Sequence, residues 1–181
     1  MYLSFAFALS EFMLMLFRHS GTKAAKTRKD QGSMIFIWVM ITLGFTGGFI
    51  LAKYNSWNIA NYIITGIGSV LILTGIIIRW LAIFQLGKSF TVDVAITDAA
   101  RLKKDGLYRK IRHPSYLGLL LIITGFTLIM NSFYSVLVII FPVGFAIIYR
   151  IKIEESVLLN EFGDDYSEYV SKTKKLIPGI F

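Results

Sequence analysis

The sequence predicts an all-α integral membrane protein with about five transmembrane helices, and two observations carry that prediction. Of the 181 residues, 55% are hydrophobic, and the mean hydropathy is +0.65. The apolar residues also gather into five runs, over about residues 2–17, 34–52, 59–86, 115–130 and 133–151. Crossing the hydrocarbon core takes about 20 apolar residues, with a range of about 17–25.

The first run begins at Tyr2 without a basic n-region, and no small-residue cleavage site follows it. It therefore reads as a short retained helix and not as a signal peptide. The second and third runs meet the length requirement, and Gly44 and Gly48 give the second a small-xxx-small packing face. The fourth and fifth are separated by a turn near Asn131–Ser132 and read as a hairpin. After the fifth, Glu154 to Val170 reads as a separate cytoplasmic helix or helix pair. Leu158, Phe162, Tyr166 and Tyr169 recur there at helical spacing, and Gly163 is the break. A single domain is expected over 1–181, with no internal repeat and no soluble domain.

Charge sets the orientation. The net charge is +8, but the basic residues lie between the apolar runs and not on one soluble face, which argues against a nucleic-acid partner. They fall in three regions: Arg18 to Lys29, Lys88 to Arg112, and Lys152 with Lys172, Lys174 and Lys175. The positive-inside rule puts all three in the cytoplasm. The expected protein is thus a multi-pass protein of the cell membrane, surrounded by membrane lipids, with its N-terminus outside and its C-terminus cytoplasmic. Cysteine is absent, which excludes disulfides and thiol chemistry. His19 and His113 make no zinc motif, so no metal is expected. Gly66-Ile67-Gly68 lies inside an apolar run and lacks the strand–turn–helix setting of a dinucleotide fingerprint.

A few polar residues stand where polarity is costly. Arg79 interrupts the third run, about 12 Å from its end at Gly87. An arginine at membrane depth costs about 2.5–3.5 kcal/mol on insertion scales, so it faces a partner or a wet cavity unless it snorkels to the interface. Arg150 lies near the inner end of the fifth run. The shared depth of the two arginines favours a common anionic ligand. Glu154 and Glu155 could be solvated interface charges, or one of them could take a ligand's ammonium. Neighbouring helical positions point about 100° apart, so only one of the pair is expected to face the ligand. Pro114 suits a first helical turn, which leaves His113 without a structural explanation. Glu11 in the first run reads as a hydrogen-bonding group and not as a catalyst.

The motifs Arg112-His113-Pro114-Ser115-Tyr116-Leu117-Gly118, Glu154-Glu155-Ser156-Val157-Leu158, Phe162-Gly163-Asp164-Asp165-Tyr166-Ser167-Glu168-Tyr169 and Ile177-Pro178 together resemble the isoprenylcysteine carboxyl methyltransferase family. That family is similar in its C-terminal half to the phospholipid N-methyltransferases. Leu86 to Val94 and Gly106-Leu107-Tyr108-Arg109 resemble its bacterial members. The likeness covers about Arg79 to Phe181.

The resemblance implies an S-adenosylmethionine-dependent methyltransferase acting on a lipophilic or lipidated acceptor drawn from the bilayer, most simply a carboxylate. It implies a cofactor region over about 87–118 and 150–181. Within it, Leu102, Gly106, Tyr108, His113, Pro114, Tyr116, Leu158 and Tyr166 line the cofactor, and Glu155 takes the methionine ammonium. Arg79 and Arg150 become catalytic-site residues. Two positions depart from the pattern: Ala100 stands where many members have histidine, and Lys175 where many have arginine. The alternatives are a phospholipid amine N-methyltransferase, a non-enzymatic membrane protein, and an NADPH-dependent membrane reductase. The sequence leaves the oligomeric state open.

Overall fold

The structure, a computed structural model, describes residues 25–28, 32–54, 62–87, 95–97, 102–177 and 179. The apolar run over 2–17, with Glu11, lies outside the described residues, as do Ala100 and Pro178. Five helices dominate: α1 (Ser33–Tyr54), α2 (Tyr62–Leu86), α3 (Pro114–Ile129), α4 (Phe133–Phe162) and α5 (Asp164–Lys172). A 3-10 turn at Gly106–Arg109 precedes α3.

Helices α1, α2 and α4 are long and apolar enough to cross a membrane, whereas α3 is a shorter apolar helix of 16 residues. At 1.5 Å per residue α3 is about 24 Å long, a little under the hydrocarbon thickness. The described helices form a row in the order α1, α4, α3, α2, with α2 packed chiefly on α3 and α1 chiefly on α4.

Small residues set both close interfaces. A Cβ on Gly75 would lie 2.6 Å from the Gly118 carbonyl oxygen, and one on Gly68 would lie 2.7 Å from that of Gly125. The α2 and α3 backbones therefore touch at two levels, and only glycine fits there. On the other side, Gly44 and Gly48 of α1 are buried against Ile139 of α4. Pro142 has no N–H to offer the Val138 carbonyl one turn earlier, and Gly44 approaches that same oxygen. The core between α3 and α4 is aliphatic, with Ile123, Ile139, Val143, Ile147 and Ile151 essentially closed to solvent.

Turns fall where the sequence marks them. Asn131 takes φ 51° between α3 and α4, and the Ser132 side chain caps α4 by accepting from the Ser135 N–H. Gly163, at φ 51°, separates α4 from α5. One boundary moves: Glu154 to Phe162 does not begin a separate helix but continues α4, about 45 Å long in all. No Gly or Pro interrupts the chain between Arg150 and Phe162, so the helix simply runs on out of the apolar zone.

A two-stranded antiparallel ribbon, β1 (Ala25–Arg28) with β2 (Ala95–Thr97), is an addition to the all-helical expectation. It ties the segment before α1 to the segment after α2, so these two basic connections lie at the same end of the bundle. The α2–α3 and α3–α4 pairs are antiparallel, so that end also holds the start of α3 and the polar end of α4.

Gly75→Ala should unfold in detergent at lower temperature, a loss of about 1–3 kcal/mol from overpacking. Gly66 on the same helix has nothing within 4 Å of a built Cβ. Gly66→Ala should therefore be neutral or stabilising by up to about 1 kcal/mol. Equal thermal shifts for the two variants would contradict the backbone contact.

Candidate functional site

Most of the charged side-chain contacts among the described residues lie at the end of the bundle that carries the ribbon. The segment before α3 runs alongside the C-terminal segment: Arg112 N donates to Lys174 O at 2.8 Å, His113 N donates to Lys175 O at 3.0 Å, and Lys174 N donates to Lys110 O at 3.1 Å. This short parallel pairing brings residues 110–113 beside 174–175.

Arg112 is the hub. Its Nε donates to Glu155 Oε1 at 2.9 Å, and its Nη1 donates to the Thr173 carbonyl at 2.6 Å. The same nitrogen also reaches the Val170 carbonyl at 3.3 Å. One guanidinium thus joins α4, the end of α5 and the start of α3, and it is buried. Glu155 Oε2 further meets Lys175 Nζ at 3.4 Å. Lysine at this departure from the family pattern therefore still reaches a carboxylate.

His113 lies between the two glutamates. Its Nε2 is 3.4 Å from Glu155 Oε1, and its Nδ1 is 3.9 Å from Glu154 Oε1. Both glutamates therefore approach the one imidazole. The 100° rule describes Cα–Cβ directions, but glutamate side chains are long enough to close on one imidazole placed between them. The histidine itself is 3% exposed, held by the buried Pro114 that opens α3.

The two arginines converge on consecutive residues. Arg79 Nη1 donates to the Ser115 hydroxyl at 3.0 Å and to its carbonyl at 3.2 Å. Arg150 Nε donates to the Tyr116 hydroxyl at 2.8 Å, and that hydroxyl in turn donates to Glu154 Oε2 at 2.8 Å. Arg150 Nη1 also donates to Ser33 Oγ at 2.8 Å. Two cations thus stand at the first turn of α3, where the helix dipole also favours negative charge.

The remaining sequence candidates divide. Gly106 takes φ +59°, and a Cβ there would strike the Gln85 side chain, whose Oε1 accepts from the Leu107 N–H at 2.9 Å. Tyr108 is a strut: its hydroxyl points to the Ala82 carbonyl at 3.4 Å, and its own carbonyl accepts from the Tyr169 hydroxyl at 2.6 Å. Leu158 packs beside Val157 with Ile153 and Phe162, in an apolar cluster apart from the charged one. Leu102 is half-buried on the segment leading to Gly106. Tyr166 is different. It is 2% exposed, and its hydroxyl is buried without a hydrogen-bond partner among the described residues. Burial first, and the Glu155 charge second, push its phenol up against the opposing pull of Arg112. It therefore stays a neutral donor beside the Arg112–Glu155 pair. Burial likewise pushes Tyr169 up to about 12.

A family model for the isoprenylcysteine carboxyl methyltransferase family matches residues 67–160, which takes in both arginines, the Arg-His-Pro element and the glutamate pair. The chain belongs to this family. Three relatives show how far the likeness extends. The probable protein-S-isoprenylcysteine O-methyltransferase of Oryza sativa subsp. indica is 31% identical over 134 residues, covering 66% of this chain and 63% of that protein. The Saccharomyces cerevisiae protein-S-isoprenylcysteine O-methyltransferase is 32% identical, covering 71% and 54%. The Schizosaccharomyces pombe protein of the same name is 30% identical, covering 79% and 67%. The chain thus spans about half to two thirds of the length of these relatives. A solved structure of a eukaryotic intramembrane Ras methyltransferase, an isoprenylcysteine carboxyl methyltransferase, shares the fold. Its TM-score is 0.63 at 24% identity, with 86% of this chain and 55% of that one covered. Membership makes the chain an integral membrane protein, in keeping with the three membrane-length helices among the described residues.

Sequence reasoning missed Arg112 as the hub, although it opens the quoted motif. It also missed Ser33, Ser115, Gln85 and Thr173, which carry no signal of their own in an unaligned sequence.

Arg112→Ala should cost about 3–5 kcal/mol, because it strands Glu155 and the Thr173 carbonyl in a largely buried setting. The loss should concentrate in hydrogen exchange of residues 164–177 and their release to protease. Unchanged protection there would refute the hub assignment.

Proposed function

We propose that the protein transfers a methyl group from S-adenosylmethionine to the carboxylate of a lipophilic acceptor in the bilayer, an S-isoprenylcysteine or a molecule of that chemical class. The observation that carries this reading is the convergence of Arg79 and Arg150 on Ser115 and Tyr116, beside a carboxylate pair. The names of the relatives support it as well: the proteins they denote act on isoprenylcysteine.

The residues present fit the cofactor. Tyr166 offers a buried hydroxyl with no partner among the described residues. Glu154 Oε1 lies 3.9 Å from His113 Nδ1, and the Glu154 side chain is one-third exposed. S-adenosylmethionine, when bound, supplies an electrophilic methyl group on a sulfonium. The glutamate pair would take its ammonium, with Glu155 shared between that role and the Arg112 hub. Tyr166 would donate to a polar group of the cofactor, and Leu102, Gly106, His113, Pro114 and Tyr116 would line it. Tyr108 and Leu158 would serve from behind, through the positions they fix.

The acceptor side needs orientation more than chemistry. A carboxylate is already a nucleophile at neutral pH, so no general base is required. Arg79 and Arg150 hold it without a proton step, and alignment of this kind can be worth about 7–11 kcal/mol. A tighter clamp would stabilise the ground state and gain nothing in rate. The polar cofactor would enter from the cytoplasm and the apolar acceptor from the bilayer, with the ribbon end of the bundle cytoplasmic.

Calorimetric titration of S-adenosylmethionine into the detergent-solubilised protein tests the cofactor; absence of binding would overturn the reading. Arg79→Ala should keep cofactor affinity and lose most methyl transfer, and Arg79→Lys should recover only part of it, since a point charge does not replace a planar fork. Recovery by lysine to full turnover would favour a phosphate-bearing phospholipid amine as acceptor. Wild-type turnover by Arg79→Ala would remove the arginine from the reaction.

Orientation has its own test in this cysteine-free chain. Single cysteines at positions 26 and 104 should react with an impermeant maleimide only after the cytoplasmic face is opened. Labelling of intact cells at both positions would invert the topology and put the cofactor region on the wrong side.

A further inference from the structure

Arg150 is held at two of its nitrogens, and the second anchor comes from a part of the chain outside the family match. That match begins at residue 67, whereas Ser33 is the first residue of α1. Ser33 is nonetheless fully buried, an unusual place for a serine that opens a helix. Its hydroxyl accepts from Arg150 Nη1 at 2.8 Å, across 117 positions of sequence. The local structure holds it there. Gly32, at φ +74°, turns the chain into α1, and the Phe36 N–H closes the first helical turn on the Gly32 carbonyl at 2.9 Å. Phe36 then packs edge-on against Tyr149 and Phe145 of α4, which presses the start of α1 against the turn bearing Arg150.

The consequence is geometric. Each hydrogen bond to a guanidinium restricts the rotation of its plane. Held at Nε by Tyr116 and at Nη1 by Ser33, its plane is fixed. A planar fork recognises a carboxylate by direction as well as by charge, so the plane decides where an acceptor oxygen would sit. We infer that Ser33 is a positioning residue of the acceptor site, acting through Arg150 and setting the angle at which an acceptor carboxylate is presented. This rests on the reading above that Arg150 grips the acceptor. It makes the start of α1 part of the determinant of turnover.

The test uses the full-length protein in detergent and an S-farnesylcysteine derivative that the wild type methylates. Five quantities are compared for Ser33→Ala, Ser33→Thr and Arg150→Ala: kcat, KM for the acceptor, the calorimetric affinity for S-adenosylmethionine, acceptor binding without cofactor, and thermal stability. Ser33→Ala should lower kcat roughly tenfold, because small misplacements are costly in a reaction governed by alignment. Cofactor affinity should stay within about twofold, acceptor affinity should change less than kcat, and thermal stability should be nearly preserved. Ser33→Thr keeps the hydroxyl and should restore most of kcat. Wild-type kcat in Ser33→Ala beside an inactive Arg150→Ala would overturn the positioning role and leave the acceptor reading standing. Wild-type turnover by Arg150→Ala would overturn both. A parallel fall of stability and cofactor affinity in Ser33→Ala, unrelieved by threonine, would make Ser33 a packing residue and overturn the proposal.

Discussion

The buried Arg112 guanidinium is the interaction on which the polar end of the molecule depends. It satisfies a carboxylate on α4 and two carbonyls at the end of α5 at once. Without it, Glu155 would be a poorly solvated charge, and the C-terminal segment would lose its tie to the start of α3. A buried ion pair is weak evidence of net stability, since desolvation offsets much of its attraction. Its value here is specificity of place. Five N–H groups in a rigid fork fix three segments relative to one another, which a lysine could not do. His113, one residue on, is thereby delivered between the two glutamates.

The membrane-facing part supplies a different constraint. Gly68 and Gly75 against Gly125 and Gly118 lock the register of α2 on α3, and register decides which side chains meet at the end of the pair. Arg79 lies one turn beyond Gly75 and reaches Ser115, just before Gly118. On the other side, Gly44 and Gly48 against Ile139 set α1 on α4, and Ser33 meets Arg150 as a result. Glycine contacts in the apolar zone thus determine the placement of both arginines.

Much of this was legible in the sequence, for stated physical reasons. Arg79 and Arg150 stood out because charge within an apolar run is costly unless it is partnered, and both are partnered. Gly163 and Asn131–Ser132 announced turns that the chain makes. The failures have equally definite causes. Periodicity carries no instruction to end a helix between Arg150 and Phe162, so the separate helix expected from Glu154 was instead the end of α4. Strands of four and three residues are too short to show an alternation, so the β1–β2 ribbon left no trace. The glycine pairs were visible within each run, but a pairing between runs is not a property of either one. Ser33 is the extreme case, since nothing in a lone serine points to an arginine so distant in sequence.

The arrangement also bears on which acceptor the proposed chemistry suits. An amine is protonated at neutral pH and must lose a proton before it can attack a methyl group. A base for that step is hard to find among the described groups. Glu155 is committed to Arg112 and Lys175, and Glu154 accepts from Tyr116. His113 is 3.4 Å from Glu155 Oε1 and 3.9 Å from Glu154 Oε1, so its ring nitrogens face these carboxylates and not an incoming amine. Two guanidinium groups at the start of α3 would also repel an ammonium while attracting a carboxylate. The electrostatics that make the site costly to build inside a membrane are thus those under which a carboxylate acceptor needs nothing but alignment.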